Sequence, residues 1–379
     1  MPTTTRSDES SVRPGVLFMA FELGSTQWKV AFAVGLGTRP RLVQLPARDV
    51  PRVWKEVARA KTRFGLPADA AVRSCYEAGR DGFWLHRALV AHGVTNVVVD
   101  PSSIAVDRRA RRAKTDRLDA IALVTQLILA DAGDRRGWRE VRVPSVEAEA
   151  ARHVHRERET VRQALRAVGN RIQGLLLLYG VSVPAGRRLT PAAVRALRDW
   201  AGAPLPEAVQ ARVAREADAW QALVTRLRGV ARGLHARVTA GTDGVAQQAR
   251  TLTRLRGVGE LGAVTLSTEL FAWRAFTNGR QVGAIVGLTP TPYCSDQSQR
   301  EQGISRSGNR RVRTLLVEMA WAWVRWQPVS ALTQWYQTRF AHHGRARKIG
   351  IVALARKLLI ALWRWVDQGV VPAGAIVRG

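Results

Sequence analysis

Val16-Leu17-Phe18-Met19-Ala20-Phe21-Glu22-Leu23-Gly24-Ser25-Thr26-Gln27-Trp28-Lys29-Val30-Ala31-Phe32-Ala33-Val34 sets the architecture of the chain's first part. Val16–Phe21 is a short apolar run. Trp28–Val34 is rich in strand formers, and the polar segment Glu22–Thr26 joins the two, so the stretch predicts two β-strands. Working outward, Val50–Phe64 predicts a helix, Ala70–Tyr76 a strand ending at Glu77-Ala78-Gly79, Phe83–His92 a helix and Val94–Val99 a buried strand. Asp107–Asp131 is a long amphipathic stretch. Strands alternating with helices imply an α/β domain over residues 15–132. The leader, residues 1–14, is polar and predicts a disordered tail.

The remainder reads as α. Val146–Tyr179 and Pro206–Ala240 are long, charge-laced helical patterns, with turn formers and a short helix between Pro184 and Pro206. They predict a central helical hairpin or coiled coil over residues 140–245, equally readable as an ordinary helical subdomain. A third domain, residues 250–369, is mainly helical. Within it Leu255-Arg256-Gly257-Val258-Gly259-Glu260-Leu261-Gly262-Ala263 has the form of a helix-hairpin-helix turn, where Gly257 and Gly259 let backbone N–H groups approach a phosphate. Gly287–Arg313 predicts a loop rich in Ser, Gly and Arg. A helix bearing Trp321, Trp323 and Trp326 follows, its tryptophans read as core packing, and a last helix spans Lys348–Gln368.

The 379 residues carry 59 Lys and Arg against 30 Asp and Glu, a formal charge of +29. A surplus this large points to a polyanion bound through its phosphates, and arginine suits bidentate phosphate contacts. Two cysteines, Cys75 and Cys294, make no zinc module and indicate a reducing compartment. No apolar run is long enough to span a bilayer and no signal peptide is evident, so the expectation is a cytoplasmic, nucleoid-associated protein with no membrane partner.

Against this basic background, Lys114-Thr115-Asp116-Arg117-Leu118-Asp119-Ala120 places two carboxylates at i and i+3 on one helical face, just after Arg108-Arg109-Ala110-Arg111-Arg112. Glu22 follows the first strand and Glu77 ends a later one, and in an open α/β sheet such positions converge at one edge. Four carboxylates there would suit Mg2+ or Mn2+, with Arg108, Arg109, Arg111, Arg112 and Lys114 holding nucleic acid. Taken alone, Asp116 and Asp119 also read as a solvated face paired to Arg112 and Arg117.

Tyr76-Glu77-Ala78-Gly79 and Lys114–Ala120, followed by Gly287-Leu288-Thr289-Pro290-Thr291-Pro292-Tyr293-Cys294-Ser295 and Gly303-Ile304-Ser305-Arg306-Ser307-Gly308-Asn309-Arg310-Arg311-Val312-Arg313, resemble the IS110-type (DEDD) insertion-sequence transposases from about Val16 to Gly369. The resemblance implies an RNase H-like (RuvC-like) N-terminal domain with four metal-binding acids matching Glu22, Glu77, Asp116 and Asp119. Glu22 stands where the family has Asp, and Asp100 and Asp107 are alternatives. It also implies a nucleophilic serine at Ser295, followed by Asp296 where glycine is usual, with Ser298, Ser305 and Ser307 as rivals. Arg300, Arg306, Asn309, Arg310 and Arg311 would then contact nucleic acid. Donor and target DNA, a structured noncoding bridge RNA as guide, and a homo-oligomer (dimer or tetramer) are implied as partners.

A serine hydroxyl attacking a phosphodiester retains the ester energy, so strands can be rejoined through a 5′-phosphoserine. Because serine is weak unless activated and no His adjoins this loop, activation is expected from the acidic site. Two other readings stay open: a metal-dependent, structure-selective nuclease of RuvC type using water, and a catalytically decayed nucleic-acid-binding protein.

Overall fold

The computed structural model describes residues 15–103, 116–184, 189–295, 298–341 and 344–378, with the backbone alone at Ser102, Asp116, residues 292–302 and Arg345. Residues 1–14 and the arginine run Arg108–Arg112 with Lys114 therefore lie outside the described side chains, as does Asp107. The chain divides into two compact units, Met1–Val143 and Pro144–Gly379.

The first unit is built on a five-stranded sheet. In chain order its elements are β1 (Val16–Leu23), β2 (Gln27–Ala33), β3 (Arg41–Pro46), α1 (Val50–Arg63), β4 (Ala71–Glu77), α2 (Trp84–Ala91), β5 (Thr95–Val99) and α3 (Asp116–Asp131). The strand order is β3-β2-β1-β4-β5. β1, β2 and β3 form an antiparallel meander, whereas β4 and β5 run parallel to β1. β3 was not expected from the sequence. Its residues Arg-Leu-Val-Gln-Leu-Pro bury little beyond Leu45, as befits an edge strand.

Alternation along the strands divides the sheet into two faces. Leu17, Met19, Phe21, Trp28, Val30, Phe32, Val72 and Tyr76 pack beneath α1 and α2. Phe18, Ala20, Ala31, Ala33, Cys75 and Val99 face α3. Small alanines on this second face admit the helix closely. α3 buries Ala120, Leu123, Val124, Leu127 and Ile128, a stripe at helical spacing.

The second unit is helical. α4 (Val146–Ala150) precedes α5 (His153–Leu177). A short α6 (Pro191–Arg195) leads into α7 (Glu207–Ala240). Ion pairs Glu157–Arg226 and Arg171–Glu216 fix α5 and α7 as antiparallel, because the earlier residue of one helix meets the later of the other. Val168, Ile172, Leu176, Val213 and Ala217 fill the seam.

Next come α8 (Gly244–Thr253), α9 (Glu260–Leu266), a π-helical turn (Ser267–Phe271) and α10 (Gly279–Ala284). A hairpin of β6 (Pro290–Ser295) and β7 (Ser298–Ile304) precedes α11 (Arg310–Trp326), α12 (Ala331–Phe340) and α13 (Gly344–Gln368). The expected loop Gly287–Arg313 is thus largely a two-stranded hairpin. Its polar residues hid the strands because pairing satisfies the backbone without an apolar face. The tryptophan expectation also needs correction: Trp323 is core, but Trp321 and Trp326 are 38% and 45% exposed. Among the described residues no helix is long and apolar enough to cross a membrane.

Leu123 is buried between α3 and the sheet. Replacing it by Ala should cost about 2–5 kcal/mol, the range for a buried leucine. Chemical denaturation of the full chain should show a transition of the first unit moved to lower denaturant while that of the second stays put.

Candidate active site

Parity places the strand-end acids. Phe21 and Tyr76 are register partners in parallel β1 and β4, so Glu22 and Glu77 follow at the carboxyl ends of neighbouring strands. Both are one step out of phase with the α1/α2 face, so they belong to the face that α3 covers. Together they line a hollow of about 370 Å³ with Gly24, Ser25, Ala78 and the loop Gly79–Gly82.

α3 runs antiparallel to β4. Asp131, in its last turn, pairs with Arg73 near the start of β4. Midway, Cys75 Sγ donates to the Leu123 carbonyl at 3.7 Å. Two residues further along β4 is Glu77, and four residues back along α3 is Asp119; each step advances roughly 6 Å toward the same end. Asp116 lies one turn earlier still. By helical spacing, position 119 lies one turn before Leu123 of the stripe that faces the sheet. Asp119 is half-buried and Arg117 exposed.

Glu22, Glu77 and the first turn of α3 thus come to one end of the sheet. Among the described residues no three His, Cys, Asp or Glu side chains are gathered into a set that could hold a metal ion. The acids at this end offer carboxylate oxygens, the donor type that a hard divalent cation such as Mg2+ or Mn2+ takes.

Asp100, the alternative first acid, follows β5 and sits 3.7 Å from Arg139. Asp81 is an acid missed from the sequence. It lines the same hollow and pairs with Arg48 at 3.3 Å, while Tyr76 Oη holds the loop by donating to the Gly82 carbonyl at 3.0 Å. Its place after Glu77 in a Gly79-Arg80-Asp81-Gly82 turn was the available signal.

In the second unit the two motifs around Ser295 are brought together. Ser295 and its rival Ser298 are cross-strand partners at the hairpin tip, and Arg300 pairs with Tyr293 one step below Cys294–Gln299. At the base, Ser305 N–H donates to the Thr289 carbonyl at 2.9 Å and Arg306 N–H to that of Gly287 at 3.1 Å. The crossing leaves no room for side chains. A Cβ on Gly287 would lie 2.0 Å from the Ser307 carbonyl oxygen, and one on Gly308 would lie 2.2 Å from that of Ile285; both glycines have positive φ. Ser305 and Ser307 hydroxyls lie 3.2 Å apart, well below the tip.

Arg306, Arg310 and Arg311 are exposed around this base. Burial, then the like charges of Arg310 and Arg306, push Arg313 below the ordinary arginine range. A phosphate arriving here would relieve that repulsion.

Asn309 opens α11. Its Oδ1 accepts from Val312 N–H at 3.2 Å, and its Nδ2 donates to Glu269 Oε2 at 3.1 Å. Glu269 is buried in the π-helical turn and was not singled out from the sequence. A lone acid in the otherwise uncharged stretch Leu261–Trp273 was the available clue. Burial pushes its carboxyl up, but the hydrogen bond from His155 and the charge of Arg156 outweigh this and hold it at about 2.

The helix-hairpin-helix turn lies between α8 and α9. Gly257 has φ +90°, and Gly259 caps α9. Both line a hollow of about 700 Å³ with Arg250, Arg256, Arg378 and Trp326. Arg256 and Arg325 both approach the exposed indole of Trp326.

Comparison with known proteins bears on these elements directly. The model of the transposase IS116/IS110/IS902 family matches residues 249–335, which contain the turn, the π-helical segment, the serine hairpin and α11. A putative transposase, y4rJ, of Sinorhizobium fredii is 38% identical over all of this chain and 97% of its own length. The transposase of insertion sequence IS1328 of Yersinia enterocolitica is 25% identical over 80% of this chain and 85% of its own. That of IS1111A of Coxiella burnetii is 26% identical over 73% of each. With the full-length likeness added to the matched segment, the chain belongs to the IS116/IS110/IS902 family of transposases.

Proposed function

We propose that this transposase cuts and rejoins DNA through a phosphoserine intermediate, using a carboxylate-held divalent metal and Ser295 as nucleophile, under the guidance of a structured RNA. The observation that carries the reading is the placement of Glu22 and Glu77 at adjacent parallel strand ends, on the face covered by α3 and level with its first turn. The strand order, antiparallel meander then parallel pair, supports an RNase H-like assignment for this unit.

Glu22, Glu77, Asp116 and Asp119 would hold Mg2+ or Mn2+. Such an ion, when bound, supplies Lewis-acid neutralisation of the phosphate and makes a nearby hydroxyl easier to deprotonate. The chain's own residues do the rest. Ser295 Oγ attacks phosphorus as its proton passes to a carboxylate or to solvent. An O–P bond forms, the bond to the 3′ oxygen breaks, and that oxygen takes a proton from solvent and leaves as a hydroxyl. A 3′ hydroxyl from another strand reverses the step and frees the serine. The exposed guanidinium groups of Arg306, Arg310 and Arg311 are disposed to hold phosphate oxygens as charge builds.

The glycine turn at Gly257 and Gly259 and the +29 charge support extensive contact with nucleic-acid backbones. A bridge RNA and assembly into dimers or tetramers follow from the resemblance to guided members of the family. Both serve the need to hold four DNA ends at once.

Ser295→Ala should abolish covalent protein–DNA adducts, read by denaturing gel after incubation with donor and target DNA, guide RNA and Mg2+. Undiminished cleavage would instead favour hydrolysis by water. Glu77→Gln and Asp119→Asn should each remove metal-dependent cleavage, with nucleic-acid binding retained. Activity unaffected by both substitutions would leave these acids with a structural role. Binding should weaken steeply with salt, log K falling linearly with log salt concentration.

A further inference from the structure

We infer that Glu269 is a positioning residue for the serine hairpin, acting through Asn309; the inference rests on the reading of Ser295 as nucleophile. Glu269 is 3% exposed, and a carboxylate buried this deeply survives only when its lone pairs are filled. They are filled from two sides. His155 Nε2 lies 2.8 Å from Oε1. Arg156 donates to Oε1 from Nε at 3.0 Å and to Oε2 from Nη2 at 3.2 Å. Both of these partners sit at the start of α5. From the other side comes Asn309 Nδ2.

His155 is in turn held through Nδ1, 3.3 Å from Thr268 Oγ1, whose hydroxyl donates to the Val264 carbonyl at 2.7 Å. The carboxylate therefore joins three elements by hydrogen bonds: α5, the π-helical turn and the first residue before α11.

Asn309 is where this network reaches the hairpin. Its amide orientation is set at both ends, since Oδ1 accepts from α11 and Nδ2 must then face Glu269. Its own N–H donates to the Ile285 carbonyl at 3.0 Å, and two residues earlier Ser307 overlies Gly287. A shift of Asn309 thus displaces the crossing of Gly287 and Gly308 on which β6 and β7 stand. The π-helical turn inserts an extra residue per turn at this point, a local irregularity that recurs at functional sites.

A buried ion pair of this kind contributes little net stability against an apolar replacement, whereas it does impose a geometry. Glutamine cannot replace the carboxylate, because its NH2 would face either Arg156 and His155 or the Asn309 NH2.

The test uses the full chain with guide RNA, donor and target DNA. Three readouts are taken: the single-turnover rate of adduct formation, the DNA dissociation constant and the thermal midpoint. Asn309→Ser keeps a helix-capping hydroxyl and removes the link to Glu269. Asn309→Ser and Glu269→Gln should each slow adduct formation by about 10²-fold, the order expected from a small misplacement of a reacting group, and in Glu269→Gln, where the altered side chain is buried, DNA affinity should stay within about twofold. The double variant should be no slower than the slower single, since both break one contact. Glu269→Asp, which keeps the charge, should recover part of the rate.

Wild-type rates in folded Asn309→Ser would overturn the inference, as would multiplicative losses in the double variant or an equal loss of DNA affinity in Glu269→Gln. Should Glu269→Gln fail to fold, the Asn309→Ser result alone decides. Ser295→Ala run in parallel keeps the two ideas apart. Adducts persisting in Ser295→Ala sink the nucleophile assignment itself. Adducts lost there but undiminished in Asn309→Ser sink only the role of Glu269.

Discussion

The docking of α3 across the sheet is the constraint from which the acidic end of the first unit follows. Apolar residues at Ala120, Leu123, Val124, Leu127 and Ile128 meet a face kept low by Ala20, Ala31 and Ala33. The ion pair of Asp131 with Arg73 and the contact of Leu123 with Cys75 fix direction and register. Given that register, the first turn of the helix can only lie over the carboxyl ends of β1 and β4. The energetics are ordinary burial of apolar area; the consequence is that carboxylates far apart in sequence share one end of one face.

The second unit solves a different problem. Its serine hairpin is polar in sequence, and the backbone at its base is held by close contacts. Two glycines crossing at carbonyl contact distance give closeness, and Asn309 ties the crossing to a carboxylate buried among His155 and Arg156. Burying that charge is costly, and the cost is offset by filled hydrogen bonds rather than by apolar packing. A network of this type specifies one arrangement more than it adds to stability, which suits the role proposed for the hairpin.

Much of the element order was legible in the sequence because it rests on local periodicity. The runs Val16–Phe21 and Trp28–Val34, the helix near Val50–Phe64 and the long patterns of α5 and α7 carry their own signal. β3 and the β6–β7 hairpin did not, since an edge strand and a hairpin of polar sequence carry no alternating apolar pattern. Asp81 and Glu269 escaped for a related reason. Each is a single acid whose meaning comes from a neighbour distant in the chain: Arg48 in one case, His155, Arg156 and Asn309 in the other.

By itself, then, the sequence determined which residues are available and on which face of its own element each lies, because side-chain direction follows from a period of two or of 3.6. It also carried the family, through the order of its motifs. Which strands are neighbours, which way α3 runs over them, and that a buried glutamate underlies the serine hairpin were decided only by tertiary packing. Those choices depend on apolar area and hydrogen bonds between distant segments, such as His155 and Glu269, 114 residues apart. No local pattern encodes such pairings.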